Sequence, residues 1–80
     1  MKAVLNQEHQ VDATGLKCPE PVMMLHAAIR RADPGGIVCL TATDPSTQRD
    51  VANFCEFLGH CLLEAVVEKS QFIYRVKKAG

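Results

Sequence analysis

The chain has 80 residues, 48% hydrophobic and 22% charged, with nine Lys and Arg balanced by nine Asp and Glu, a composition that suits one small soluble domain. Zero formal net charge and only four aromatic residues (Phe54, Phe57, Phe72 and Tyr74) deny it the basic footprint of phosphate-driven nucleic-acid binding, so no direct nucleic-acid contact is expected. No apolar run approaches the roughly 20 residues of a membrane helix, and residues 1–10 hold too short an apolar stretch for a signal peptide, which predicts a cytoplasmic protein without membrane contact.

In chain order, residues 1–9 read as a flexible N-terminal segment and residues 10–80 as a single domain, with no internal repeat, low-complexity tract or charge block. Gln10 to Ala13 predicts a short strand, ended by a turn at Thr14-Gly15. From Val22 the apolar residues Val22, Leu25, Ile29 and Ala32 recur at intervals of three and four, the pattern of an amphipathic helix. Pro19 and Pro21 fix its start, because amides of the first turn have no partner within the helix and a proline there loses nothing. Asp33-Pro34-Gly35-Gly36 stops it. Residues 37–43, β-branched and largely apolar, form the next strand.

A second helix opens after Asp44-Pro45-Ser46-Thr47, its amides satisfied either by Asp44 or by Thr47 with Asp50. Its apolar stripe is Val51, Phe54, Cys55 and Leu58, and Gly59 ends it. Residues 61–68 and 72–77 read as an antiparallel hairpin turning at Lys69-Ser70, with Leu62, Leu63, Val66 and Val67 as the apolar positions of its first strand. The order βαβαββ predicts an α+β fold: a two-layer sandwich with a mixed four-stranded sheet and two helices on one face.

Four cysteines stand at 18, 39, 55 and 61, with no Cys-x-x-Cys among them, so neither a zinc ribbon nor a local dithiol redox motif can form. Reduced thiols and no bound metal or cofactor are expected. Cys39, within an apolar strand, and Cys55, on the core stripe of a helix, read as small buried hydrophobes, whereas Cys61 is left open. Cys18 immediately precedes a helix, at the positive end of its macrodipole, a setting that favours thiolate. The Glu20 and Val22 amides are nearby donors for a sulfur anion and Lys17 adds positive charge, while the Glu20 carboxylate opposes it. On the same helix Met23 falls with Ala27, Arg30 and Arg31, away from the core stripe, with Met24 at the boundary. An exposed thioether beside a thiol and two arginines suits protein docking. His26 borders the stripe as a packed or surface histidine and takes no catalytic role.

The run Cys18-Pro19-Glu20-Pro21-Val22-Met23-Met24 after Asp12-Ala13-x-Gly15-Leu16, followed by Thr43-Asp44-Pro45, Arg49-Asp50-Val51 and Phe54-Cys55, closely resembles the TusA/SirA family of small sulfur carriers over about residues 11–78. The resemblance implies the same βαβαββ sandwich. It also implies that Cys18, supported by Pro19, Glu20 and Pro21 of the motif, accepts sulfane sulfur as a persulfide from a cysteine desulfurase and passes it to a downstream sulfur-relay complex such as TusBCD. The implied end point is the 2-thio group of wobble uridine in tRNA; relatives with the same motif serve sulfur oxidation and cofactor assembly. Asp44 matches a family position, and with Met23, Met24, Arg30 and Arg31 it makes up the expected docking surface. Two other classes stand beside this sulfurtransferase reading. A binding or regulatory module would use Cys18 structurally, and a thiol-disulfide oxidoreductase would need a resolving cysteine where Pro21 stands.

Overall fold

The computed structural model describes residues 8–79. Its elements are β1 (His9–Ala13), α1 (Glu20–Arg31), β2 (Ile37–Ala42), α2 (Thr47–Leu58), β3 (Cys61–Glu68) and β4 (Gln71–Lys77). The four strands form one sheet in the order β1-β2-β4-β3, with β1 parallel to β2 and both other pairs antiparallel. Each helix is thus a crossover between parallel strands, β1 to β2 and β2 to β3, and the last strand returns to fill the gap between β2 and β3. α1 packs against β1 and β2, and α2 packs against β3 and β4, side by side on one face of the sheet. This is the two-layer α+β sandwich that the element order predicts.

The core lies between these layers. On β2, residues alternate so that Val38, Leu40 and Ala42 are fully buried, the period of two expected of a sheet covered on one face. Leu25 and Ile29 of α1, Val51 and Cys55 of α2, and Tyr74 and Val76 of β4 close over them. A buried polar side chain joins the same layer: the Thr47 hydroxyl donates to the Asp44 carbonyl at 2.7 Å and lies 2.7 Å from the Tyr74 hydroxyl. Gly59 ends α2 in the left-handed region at φ 79°, and the Cβ of any residue at Gly36 would stand 2.9 Å from the Asp33 carbonyl, a contact that keeps this position glycine.

The structure corrects several sequence expectations. Cys39 lies on the helix-free face of the sheet, half-buried, because the alternation that buries Val38 and Leu40 turns it outward. Leu58 is exposed at the end of α2, and of the expected apolar set on β3 only Leu62 packs on the core. β3 is an edge strand whose pairing shifts between Leu62 and Glu64, so Leu63, Val66 and Val67 stay exposed. Of the N-terminal segment expected to be flexible, residues 1–7 lie outside the described residues. Glu8 and His9 belong to the fold: Glu8 is ion-paired with Arg75 at 2.7 Å, and His9 begins β1.

Candidate functional site

Because β1 and β2 are parallel and in register from His9 with Val38 to Ala13 with Ala42, the loops that follow them leave the sheet together. In open α/β sheets this C-terminal rim is where sites form. The first loop is shaped by Asp12, whose Oδ1 accepts the Thr14 N–H at 3.0 Å and the Thr14 hydroxyl at 2.7 Å, and by Gly15 at φ 83°. Two bonds then tie it to the loop before α2. The Gly15 N–H donates to Thr43 Oγ1 at 2.9 Å, and the Cys18 N–H donates to Asp44 Oδ2 at 2.7 Å.

Asp44 is the hinge of the arrangement. While Oδ2 holds Cys18, Oδ1 accepts the Ser46 N–H at 3.0 Å, and these two amides, with Lys17 nearby, hold its carboxyl below the usual carboxylate range. Neither cap left open by the sequence bonds an amide of α2: Asp44 Oδ1 takes the Ser46 N–H just ahead of the helix, and Thr47 turns inward to Tyr74. Pro19 and Pro21 occupy the cap and first turn of α1 as expected, and the Cys18–Pro19 peptide is cis. Cys18 is exposed at the helix start.

The expected electrostatics of Cys18 are overturned. A hydrogen bond to the Asp50 carboxylate, then burial and the charges of Asp50 and Asp44, push the thiol up from its ordinary value; the Ser46 hydroxyl works the other way. Two carboxylates, from α2 and its leading loop, therefore oppose the thiolate. The Glu20 amide is also engaged, donating to the Lys17 carbonyl at 2.9 Å, and Lys17 acts on Asp44. Neither Asp50 nor Ser46 was marked by any local motif around Cys18; they are brought in by the β1–β2 register.

The docking candidates divide by distance. Asp44 touches Cys18, and Met23, 61% exposed, stands one turn into α1 beside Met24, 36% exposed. Arg30 and Arg31 are exposed in the last turn of α1, about 15 Å along the axis from Cys18 at the helical rise. His26 packs edge-on against Phe54, with ring centres 5.4 Å apart, as a packed histidine does. Cys55 is buried and its thiol is pushed up to about 11, first by burial. Cys61 is the other exposed thiol, but it follows the far end of α2, about 18 Å from the Cys18 end. Among the described residues no group of three or more His, Cys, Asp or Glu is arranged to hold a metal, and no helix is long and apolar enough to cross a membrane.

Fold and site define a small α+β domain that presents one thiol on the turn before a proline-started helix. Comparison with known proteins gives the family: the model of the family described as Sulfurtransferase TusA matches residues 9–78, and the chain belongs to that family. It is 54% identical over 68 residues to the sulfur carrier protein TusA of Pseudomonas paraeruginosa, covering 85% of this chain and 86% of that one. The corresponding protein of Pseudomonas putida is 53% identical over 68 residues, covering 85% of each. A SirA-like protein of Desulfitobacterium hafniense shares the fold, with a TM-score of 0.80 at 18% identity over 92% of this chain and 100% of that one. Family membership makes the chain a sulfur carrier and, in the general sense, a sulfurtransferase.

Proposed function

We propose that Cys18 is the carrier residue, that it receives sulfane sulfur from a cysteine desulfurase, and that it hands this sulfur to a downstream relay complex such as TusBCD. The observation that carries the reading is an exposed thiol held by its own backbone to Asp44, on a loop rim that no other cysteine shares. In loading, the Cys18 thiolate attacks the outer sulfur of the donor's cysteine persulfide. A new S–S bond forms at Cys18, the donor's S–S bond breaks, and the departing donor thiolate takes up the proton that Cys18 released. Nothing is oxidised or reduced overall, so no cofactor is required. Unloading repeats the exchange toward the acceptor. We read the pathway as cytoplasmic 2-thiolation of tRNA wobble uridine, with the chain acting as a single carrier domain; the zero net charge supports delivery through proteins rather than by binding tRNA.

Docking in this reading centres on Met23, Met24 and Asp44 beside the thiol, with Arg30 and Arg31 steering from the far end of α1. A relay needs brief contact with two different partners, which favours a small, adaptable, salt-sensitive interface. The test is the rate of sulfur uptake from a cysteine desulfurase and cysteine. Cys18→Ser should abolish uptake and Cys61→Ser should leave it intact; the reverse result removes Cys18 from the role. Met23→Glu should slow uptake about tenfold or more, the cost of a charge in an apolar contact, while Lys77→Glu on the exposed end of β4 should not. Slowing by the Lys77 variant alone would move the docking face to the hairpin.

A further inference from the structure

Ser46 immediately precedes α2, and one carboxylate clamps it beside Cys18: Asp44 Oδ1 holds the Ser46 N–H at 3.0 Å and Oδ2 holds the Cys18 N–H at 2.7 Å. Its hydroxyl is the one buried side-chain polar atom among the described residues without a hydrogen-bond partner. Serine at this position ordinarily caps an amide of the first helical turn. Here the backbone is already helical, at φ −67° and ψ −14°, and no side-chain cap bond forms. The Arg49 and Asp50 amides go to the Ser46 carbonyl instead. A buried hydroxyl without a partner destabilises the fold, so its persistence calls for an occasional acceptor. Two groups adjoin Ser46: the Asp44 carboxylate, each of whose oxygens already holds an amide, and Cys18, whose backbone that same carboxylate clamps.

We propose that the Ser46 hydroxyl is the donor that stabilises the sulfur anion at Cys18, first the attacking thiolate and then the persulfide it becomes. This rests on the carrier reading above. The charged groups around the sulfur explain why a neutral donor is needed. Asp50 faces it from α2, itself paired with Arg49 at 3.6 Å, and Asp44 faces it from the preceding loop. Lys17, on the loop before α1, offsets Asp44, and Glu20 in the first turn of α1 adds a further carboxylate. With carboxylates predominating, an O–H dipole supplies the local attraction that a sulfur anion requires. The hydroxyl rotates onto the sulfur as charge appears there and is released when it leaves.

The test uses Ser46→Ala and Ser46→Gly in the full chain. Both remove the hydroxyl without removing a capping bond, so both should fold. Native-state alkylation by iodoacetamide, mapped to the Cys18 peptide, is followed against pH. Each variant should shift the midpoint to higher pH and slow alkylation at neutral pH about threefold to tenfold, the worth of one hydrogen bond to a charged acceptor. A profile that superimposes on wild type in either variant overturns the proposal. Sulfur uptake from a desulfurase, measured alongside, separates the two claims: wild type that takes up no sulfur overturns the carrier reading, whereas wild type that loads while the variants keep the wild-type pH profile overturns only the role of Ser46.

Discussion

At Cys18 two carboxylates oppose the sulfur anion that a helix N-terminus favours, and they push the thiol up from its ordinary value. The Asp50 side chain accepts from the thiol and repels the thiolate, so both of its effects keep the proton in place. Asp50→Asn should therefore lower the alkylation midpoint of Cys18 and raise its rate at neutral pH about threefold or more, opposite in sign to loss of the Ser46 hydroxyl; an unchanged or higher midpoint would contradict the account. The position of Cys18 before a proline-started helix was legible from the chain, since Pro19 and Pro21 leave few other conformations. Its charge environment was not legible. A helix-dipole argument considers only neighbours in sequence, while Asp44 and Asp50 arrive through strand register. Met23 illustrates the legible case, because its wheel position, opposite Leu25 and Ile29, follows from helix geometry alone.

Helices and strands followed from periodicity to within a residue or so at most ends, because each carries its own punctuation: Thr14-Gly15, Asp33 to Gly36, Gly59 and Lys69-Ser70. The last of these is the weakest. Lys69 and Ser70 both take positive φ, 50° and 66°, in the two-residue turn between β3 and β4, a conformation that favours Asn-Gly. Replacing Lys69 by Asn together with Ser70 by Gly should stabilise the domain by about 1 kcal/mol and raise its thermal midpoint by about 4–8 °C. A fall in the midpoint would show that the turn is held by contacts other than its own backbone preference. β3 itself was legible as a strand but not as an edge. Alternation is the same for both, and only the return of β4 between β2 and β3 leaves Leu63, Val66 and Val67 outside the core.

The whole molecule rests on a thin core in which Cys55 is 4% exposed, and this ties stability to alkaline pH. Its thiol is pushed up to about 11 in the folded chain, so the unfolded chain loses the proton first. The resulting stability is fully present below the unfolded value and is lost as pH rises from about 9 to 11. The loss should be on the order of 2 kcal/mol, with Cys39 and Tyr74, both also raised, adding in the same direction. Urea unfolding at neutral pH and near pH 10, compared with the same pair of curves for Cys55→Ala, checks this; an equally steep decline in the variant would assign the loss elsewhere. That Cys55 is core and Cys39 is not separates what a single helix stripe reveals from what requires knowing which sheet face the helices cover. The carrier function depends on which of the four thiols takes up sulfur. Incubating the protein with a cysteine desulfurase and cysteine, weighing it intact and mapping the added mass by peptide should find one extra sulfur atom on the Cys18 peptide; sulfur on the Cys61 peptide, or none on Cys18, would contradict it.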